Sequence, residues 1–178
     1  MSPYHAWPFL SDPSHPFLSA VWAVLIHGVI AVIAIAPILW RSRHRVIYGG
    51  LAFIGGFVLD IDHFIAAGTL DLHTIETLGG RPDTHSIVFV AALAVTAAVL
   101  TRSREAGWAV FAVNLVHLLF DGAGGSEHVL YPFTGVDGIP WLLCPLGTLA
   151  CLGVSALVAR SGGQREPEIE RRDPVVAG

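Results

Sequence analysis

Long apolar stretches constrain the fold of this chain more than any other feature of its sequence. Five of them run over residues 17–40, 46–68, 86–101, 107–120 and 141–159. A membrane-spanning helix needs about 20 predominantly apolar residues to cross the ~30 Å hydrocarbon core of a bilayer. The third and fourth stretches are shorter, so their helices are expected to start inside the interface or to extend through flanking polar residues. The pattern predicts an all-α, polytopic membrane helix bundle with about five transmembrane helices.

The composition agrees with a membrane protein. Of the 178 residues, 53% are hydrophobic and only 13% are charged. Together with a mean hydropathy of +0.63, these values place the chain outside the usual soluble range. The expected partner is the lipid bilayer, and no nucleic-acid partner is expected. Residues 1–16 are predicted to form an outer interfacial segment, residues 17–159 the transmembrane domain, and residues 160–178 a disordered cytoplasmic tail.

The arginines indicate the orientation of the bundle. Nearly all of them fall in the first and third connections or after the fifth stretch: Arg41, Arg43, Arg45, Arg102, Arg104, Arg160, Arg165, Arg171 and Arg172. With five spans these segments share one side of the membrane, and Arg81 alone lies opposite. Cytoplasmic loops carry an excess of basic residues. The chain is therefore predicted to be a multi-pass inner (plasma) membrane protein with its N-terminus outside and its C-terminus in the cytoplasm.

Aspartate and histidine recur near one end of the second and fourth stretches. Asp60, Asp62 and His63 lie within about two turns of the outer end of the second. His117 and Asp121 in the fourth are four residues apart, so they share one face of a helix. These side chains are expected at the same depth, on the extracytoplasmic side.

Two further histidines are expected at that depth, because His85 begins the third helix and His27 lies in the outer half of the first. Imidazole and carboxylate ligands without thiolate suit Zn²⁺, Mn²⁺ or Fe²⁺. Each carboxylate at the centre of a spanning helix costs ~2.5–3.5 kcal/mol unless it is paired. One or two divalent ions, Zn²⁺ foremost, are therefore expected here, and the alternative is a purely structural hydrogen-bonded network.

Asp62 does not fit a regular helix that also presents Asp60. Two residues along, a helix turns by about 200°. If Asp62 binds metal, the helix must end or distort near Ile61, or Asp62 must serve a second ion.

Three residues are candidates for direct roles in catalysis. Arg81 precedes the third helix and could clamp an anionic substrate group. His85 or His128 could protonate a leaving group if it does not bind metal. For His128, a place in a solvated loop is the alternative.

Several motifs resemble those of a known family. LDIDH at 59–63, THS at 84–86, HLLFD at 117–121 and LYPF at 130–133, preceded by His27, are similar in order and spacing to the YdjM-like family of membrane-bound hydrolases, which are predicted to be metal-dependent. The resemblance spans roughly residues 20–160. It implies a helical inner-membrane protein with a hydrolytic role, more distantly similar to zinc-dependent phospholipase C and related helical nucleases. It also implies metal ligation by Asp60, Asp62, His63, His85, His117 and Asp121, and by His27.

The chain departs from the family pattern at three positions: Leu59 stands where members tend to have proline, and Gly80 and Pro82 stand where they have histidine and glycine. His73 or His128 could substitute for the missing histidine. The expected function is a metal-dependent hydrolase at the outer leaflet, acting on a phosphoester of a lipid or lipid-linked substrate. Two alternatives are a non-catalytic membrane protein with a structural metal and an ion or metal transporter. A transporter would need polar groups through both leaflets.

Overall fold

The structure, a computed structural model, describes residues 16–42, 45–71, 84–123, 129 and 139–162, and the side chains of all of these except 16–20, 23, 57, 62, 66 and 162. This part of the chain contains seven helices: α1 (Pro16–Ala34), α2 (Ala36–Arg41), α3 (Arg45–Val58), α4 (Ile61–Ala67), α5 (Ile87–Thr101), α6 (Arg104–Ala123) and α7 (Leu143–Gly162). No strand occurs among these residues. The all-α prediction is confirmed for the described chain.

Two helices are long and apolar enough to cross a membrane, Arg104–Ala123 and Leu143–Ser161. Val24–Ala34 and Ile87–Thr101 are apolar helices that are shorter. Helix α6 extends beyond both ends of the predicted stretch 107–120. This extension was one of the two expectations for a stretch too short to cross the membrane.

The first apolar stretch does not form one continuous helix. It breaks at Ile35, two residues before Pro37, which has no N–H to donate to the preceding turn. The amide of Ile38 bonds the carbonyl of Ile35 rather than that of Ala34. The Ala34 carbonyl instead accepts a hydrogen bond of 2.8 Å from Ser155 in α7. Such a side-chain donor satisfies a backbone group that water cannot reach in a membrane.

The second stretch is also broken, at a turn over Leu59 and Asp60 between α3 and α4. The amide of His63 donates to the carbonyl of Asp60 at 3.2 Å, which tightens this turn. Helix α4 then ends at Gly68, whose φ of 62° lies in the left-handed region that favours glycine. The helix is therefore distorted near Ile61, which is one of the two arrangements that metal binding by both Asp60 and Asp62 would require.

Helix α6 is the centre of the bundle and packs against α1, α3, α5 and α7. Close approach of α1 to α3 depends on glycine. A Cβ on Gly28 would lie 2.5 Å from the ring of Phe53, and one on Gly56 would lie 2.7 Å from the carbonyl oxygen of His27. The surrounding core is largely small: Ala31, Ala34, Ala52, Ala112 and Val113 are all buried.

The two ends of the bundle differ in chemistry. At one end Arg41 donates a hydrogen bond of 2.6 Å to the carbonyl of Ala159, which joins α2 to the last turns of α7. The connection from α5 to α6, through Arg102, lies at this end too, because the helices alternate in direction. The opposite end holds the α3–α4 break, the start of α5 and the last turns of α6. Among the described residues, the histidines and aspartates lie at that end.

Candidate metal centre

Four side chains meet at the end of the bundle opposite the arginines. Asp60 comes from the α3–α4 break, and His85 lies two residues before the start of α5. His117 and Asp121 lie on one face of α6. One ligand atom from each lies within 4.8 Å of all the others. Segments separated by up to 61 residues thus converge on one point.

Helix α6 supplies two of the four groups. His117 and Asp121 are one turn apart on the same face, and Nε2 of His117 lies 3.0 Å from Oδ2 of Asp121. This spacing follows from 3.6 residues per turn and needs no distortion of the helix. The rest of the site is built onto this pair.

The orientation of the His117 ring is set by α3. Its Nδ1 lies 2.7 Å from the carbonyl oxygen of Gly56, so Nδ1 carries the proton and donates it in this hydrogen bond. In the neutral ring, Nε2 then presents its lone pair to the cluster. A histidine that donates one ring N–H to a backbone carbonyl and directs the other nitrogen at a site is the usual arrangement of a metal ligand.

His85 is positioned by the start of α5. The hydroxyl of Ser86 caps this helix by accepting a hydrogen bond from the amide of Phe89. The amide of Ile87 donates to the carbonyl of Val129 at 2.9 Å, and Val129 packs against Gly122 near the end of α6. His85 is consequently buried, with its Nε2 3.4 Å from Nε2 of His117.

Asp60 completes the group from the α3–α4 break. Its Oδ1 lies 3.5 Å from Nε2 of His117 and 3.7 Å from Nε2 of His85. The side chains of His117, His85 and Asp121 are 0%, 1% and 8% exposed, whereas that of Asp60 is 31% exposed. Of these four side chains, Asp60 alone has substantial exposure, so the site is open on its side.

The distances agree with a single four-coordinate ion. Zinc bonds to nitrogen and oxygen of about 2.0–2.2 Å produce a tetrahedron with edges of about 3.3–3.6 Å. Five edges of the cluster measure 3.0, 3.4, 3.5, 3.7 and 3.8 Å. With small shifts, two imidazole nitrogens and two carboxylate oxygens would surround one divalent ion.

Two other predicted ligands lie beside this tetrad. His27 approaches the second oxygen of Asp121, with 3.3 Å between Nε2 and Oδ1, and its ring centroid lies 4.6 Å from that of His117. The ring of His63 lies 4.7 Å from the ring of His85. Asp121 thus faces His27 with one oxygen and His117 and His85 with the other.

Three predicted site residues cannot be placed. Arg81 and His128 lie outside the described residues, and so does the side chain of Asp62. Gly56, in contrast, was not predicted from sequence as part of the site. A glycine offers only its backbone carbonyl, and no residue pattern marks which carbonyl a distant histidine will contact.

The comparisons with known proteins agree with this membrane architecture. A family model described as YdjM inner membrane protein matches residues 7–169. No curated protein and no solved structure gives a match. The resemblance inferred from the motifs is confirmed, and the chain belongs to the YdjM inner membrane protein family.

Proposed function

We propose that this protein is a membrane-embedded, metal-dependent hydrolase whose ion is held by Asp60, His85, His117 and Asp121. One observation carries the proposal. Nδ1 of His117 donates to the Gly56 carbonyl, and in the neutral ring the lone pair of Nε2 then faces a carboxylate oxygen of Asp121 only 3.0 Å away. Two electron-rich atoms repel each other at this distance, and a divalent cation between them converts the repulsion into attraction.

Charge supports the same proposal. The tetrad brings two carboxylates to a largely buried site in a membrane protein, where each costs ~2.5–3.5 kcal/mol unless it is compensated. The described ion-pair partners of both carboxylates are histidines. A divalent ion would balance two carboxylates while leaving the imidazoles neutral, and Zn²⁺ suits this ligand set best, with Mn²⁺ and Fe²⁺ as alternatives.

The chemistry we propose is hydrolysis of a phosphoester. A divalent ion in this site would supply a Lewis acid and lower the pKa of a bound water to about 7. Asp60 marks the side from which a substrate reaches the site, because it is the exposed member of the tetrad. The neighbouring helix α4 exposes Ile61 and Ile65 on one face. A substrate with an apolar tail beside its reactive group, such as a lipid or a lipid-linked molecule, suits this approach.

His63 and His27 extend the site on either side of the tetrad. His63 belongs to α4, the helix that borders the open side, and lies next to His85. We propose that His63 contacts the substrate or a second ion. His27 contacts the oxygen of Asp121 that faces away from His117. A carboxylate that uses both oxygens in this way can bridge two ions about 3.5–4 Å apart. The proposal therefore covers one or two ions.

We further propose that the site lies on the extracytoplasmic side. Arg41, Arg102 and Arg160 lie at the other end of the bundle, and basic residues favour the cytoplasm. A cysteine introduced at exposed Leu70 should then react with an impermeant maleimide added to intact cells, whereas one introduced at Arg160 should react only after permeabilisation. The reverse pattern would place the site in the cytoplasm.

A structural metal site is the second candidate function. Four protein ligands already complete a tetrahedron, which is typical of structural zinc, whereas catalytic zinc usually keeps three and leaves a position for water. The exposed edge at Asp60 favours the hydrolase. A transporter is disfavoured, because the core beyond the site is formed by small apolar side chains such as Ala31, Ala34 and Ala112.

Metal analysis combined with activity tests the proposal. Full-length protein purified in detergent should contain one or two equivalents of metal, and should hydrolyse a generic phosphodiester or a lipid phosphate. Asp60→Asn and His117→Ala should lose both properties. Asp71→Asn is a matched control, because Asp71 is an exposed aspartate after α4 that lies outside the tetrad.

Each outcome separates the candidates. Metal and activity lost together in both variants, and kept in Asp71→Asn, would support the hydrolase. Metal without activity on any substrate would favour the structural site. A metal-free wild-type protein would refute both, because a proton on Nε2 of His117 would then account for its contact with Asp121.

A further inference from the structure

A second cleft lies at the arginine-rich end of the bundle, away from the metal centre. It is an open groove of about 580 Å³ between the α1–α2 break and the first turns of α3. Its walls are mostly apolar and include Val32, Leu39 and Val46, with Trp40 and Arg45 also lining it. None of these residues belongs to the tetrad or contacts it.

The groove has a local cause in the sequence. Helix α1 stops at Ala34, and α2 starts again after Ile35, so the chain is interrupted where it passes α3. Opposite this interruption α3 presents Gly49, which has no side chain to fill the space. A Cβ built there would lie 3.9 Å from the nearest atom, Cδ1 of Leu39, so a larger side chain would extend into the groove.

Arg45 is the single charged group in the lining. It is exposed and makes no hydrogen bond or ion pair with any residue that the structure describes. Arg41, in contrast, donates a hydrogen bond to the carbonyl of Ala159. Trp40, 81% exposed, also lines the groove, and tryptophan prefers the headgroup level of a bilayer. A cation and an interfacial aromatic thus border an apolar groove.

We infer that this groove binds one anionic phospholipid from the leaflet at the arginine-rich end. Its acyl chain would lie along Val32 and Leu39, and its phosphate would contact Arg45. The apolar walls suit any acyl chain of the bilayer, since lipid tails are as apolar as leucine. The selectivity comes from the headgroup, because an unpaired arginine near the membrane surface attracts anionic lipid. This inference needs only a membrane location and does not depend on the metal centre.

Photolabelling in bilayers tests the inference. Full-length protein would be reconstituted in phosphatidylcholine containing a small fraction of phosphatidylglycerol with a photoactivatable acyl chain, or of phosphatidylcholine with the same chain. Labelled residues would be identified by mass spectrometry after irradiation. The exposed residues Val95 and Val99 of α5 provide a reference for lipid that merely surrounds the protein. Labelling at Val32 and Leu39, relative to that reference, should be about fivefold greater with phosphatidylglycerol, as one arginine near the surface predicts.

Matched variants separate the two parts of the site. Arg45→Gln should remove the preference for phosphatidylglycerol, whereas Arg160→Gln, an exposed arginine at the same end but outside the groove, should retain it. Gly49→Leu should reduce labelling of the groove by both lipids to the reference level. Gly50→Leu is its control, because a Cβ on Gly50 would meet nothing within 4 Å. Circular dichroism would confirm that each variant folds.

Two results would overturn the inference. Equal labelling of the groove by the two lipids in the wild-type protein would show that Arg45 confers no headgroup selectivity. Unchanged labelling in Gly49→Leu would show that the acyl chain does not occupy the groove.

Discussion

Gly56→Ala should weaken metal binding without touching any ligand. A Cβ at this position would lie 2.7 Å from the carbonyl oxygen of His27 and 3.0 Å from Cβ of Ala31, so α3 must move away from α1. Overpacking of this kind costs about 1–3 kcal/mol, and alanine recovers up to about 1 kcal/mol of helix propensity. The free energy of unfolding should therefore fall by about 0–3 kcal/mol.

The larger effect is expected at the metal centre. Movement of α3 displaces the Gly56 carbonyl from Nδ1 of His117, to which it is now 2.7 Å distant. Loss of such a partner typically reduces metal affinity by about 10–100-fold. Competition with a chromogenic zinc chelator, performed on detergent-purified protein stripped of metal and then titrated, would measure this change directly.

Gly50→Ala is the control, because it makes the same substitution in the same helix with nothing within 4 Å of the new methyl group. It should leave metal affinity unchanged and raise stability by up to about 1 kcal/mol. If Gly56→Ala and Gly50→Ala bound zinc equally well, the role we assign to the Gly56 carbonyl would be refuted.

Three further predictions concern stability, measured by thermal unfolding in detergent. Ser155→Ala leaves the Ala34 carbonyl and the Trp108 indole without their hydrogen-bond partner and should cost about 1–3 kcal/mol, whereas exposed Ser161→Ala should change stability by less than about 0.5 kcal/mol. Ser86→Ala removes the cap of α5 and should cost about 1 kcal/mol, less if water replaces the hydroxyl. A chelator should lower the unfolding temperature of the wild-type protein, because a bound ion at a hundredfold excess over its Kd adds about 2.7 kcal/mol to the free energy of unfolding. An equal decrease in the Asp60→Asn variant would contradict an ion bound by the tetrad.

Apolar length predicted where the helices lie, but it did not predict where they break. Residues 17–40 are predominantly apolar, so hydropathy alone favours one helix, and the interruption at Ile35 comes from the missing N–H of Pro37. The break at Leu59 and Asp60 has no proline or glycine to signal it. It was predicted only conditionally, because a regular helix could not direct both Asp60 and Asp62 to one site.

The members of the candidate site were easier to predict than their arrangement. Residue type and helical depth place Asp60, His85, His117 and Asp121 among the predicted ligands, and the structure brings these four together. Depth could not separate them from His63, whose ring lies beside that of His85, or from His27, whose contact with the other oxygen of Asp121 depends on how α1 packs against α6. Rotation of a helix about its own axis is set by packing, which a single sequence does not display.

The wide separation of the four tetrad residues along the chain has a consequence for biosynthesis. The site needs side chains from position 60 to position 121, so it cannot exist while only the first two apolar segments have left the ribosome. It can form once α6 has inserted and packed against α3 and α5, before α7 is needed for any ligand. Since helices insert first and associate afterwards, binding of an ion would show that α3, α5 and α6 have packed together correctly. Helix α7, joined to the α1–α2 break through Ser155, would then close a bundle whose centre is already assembled.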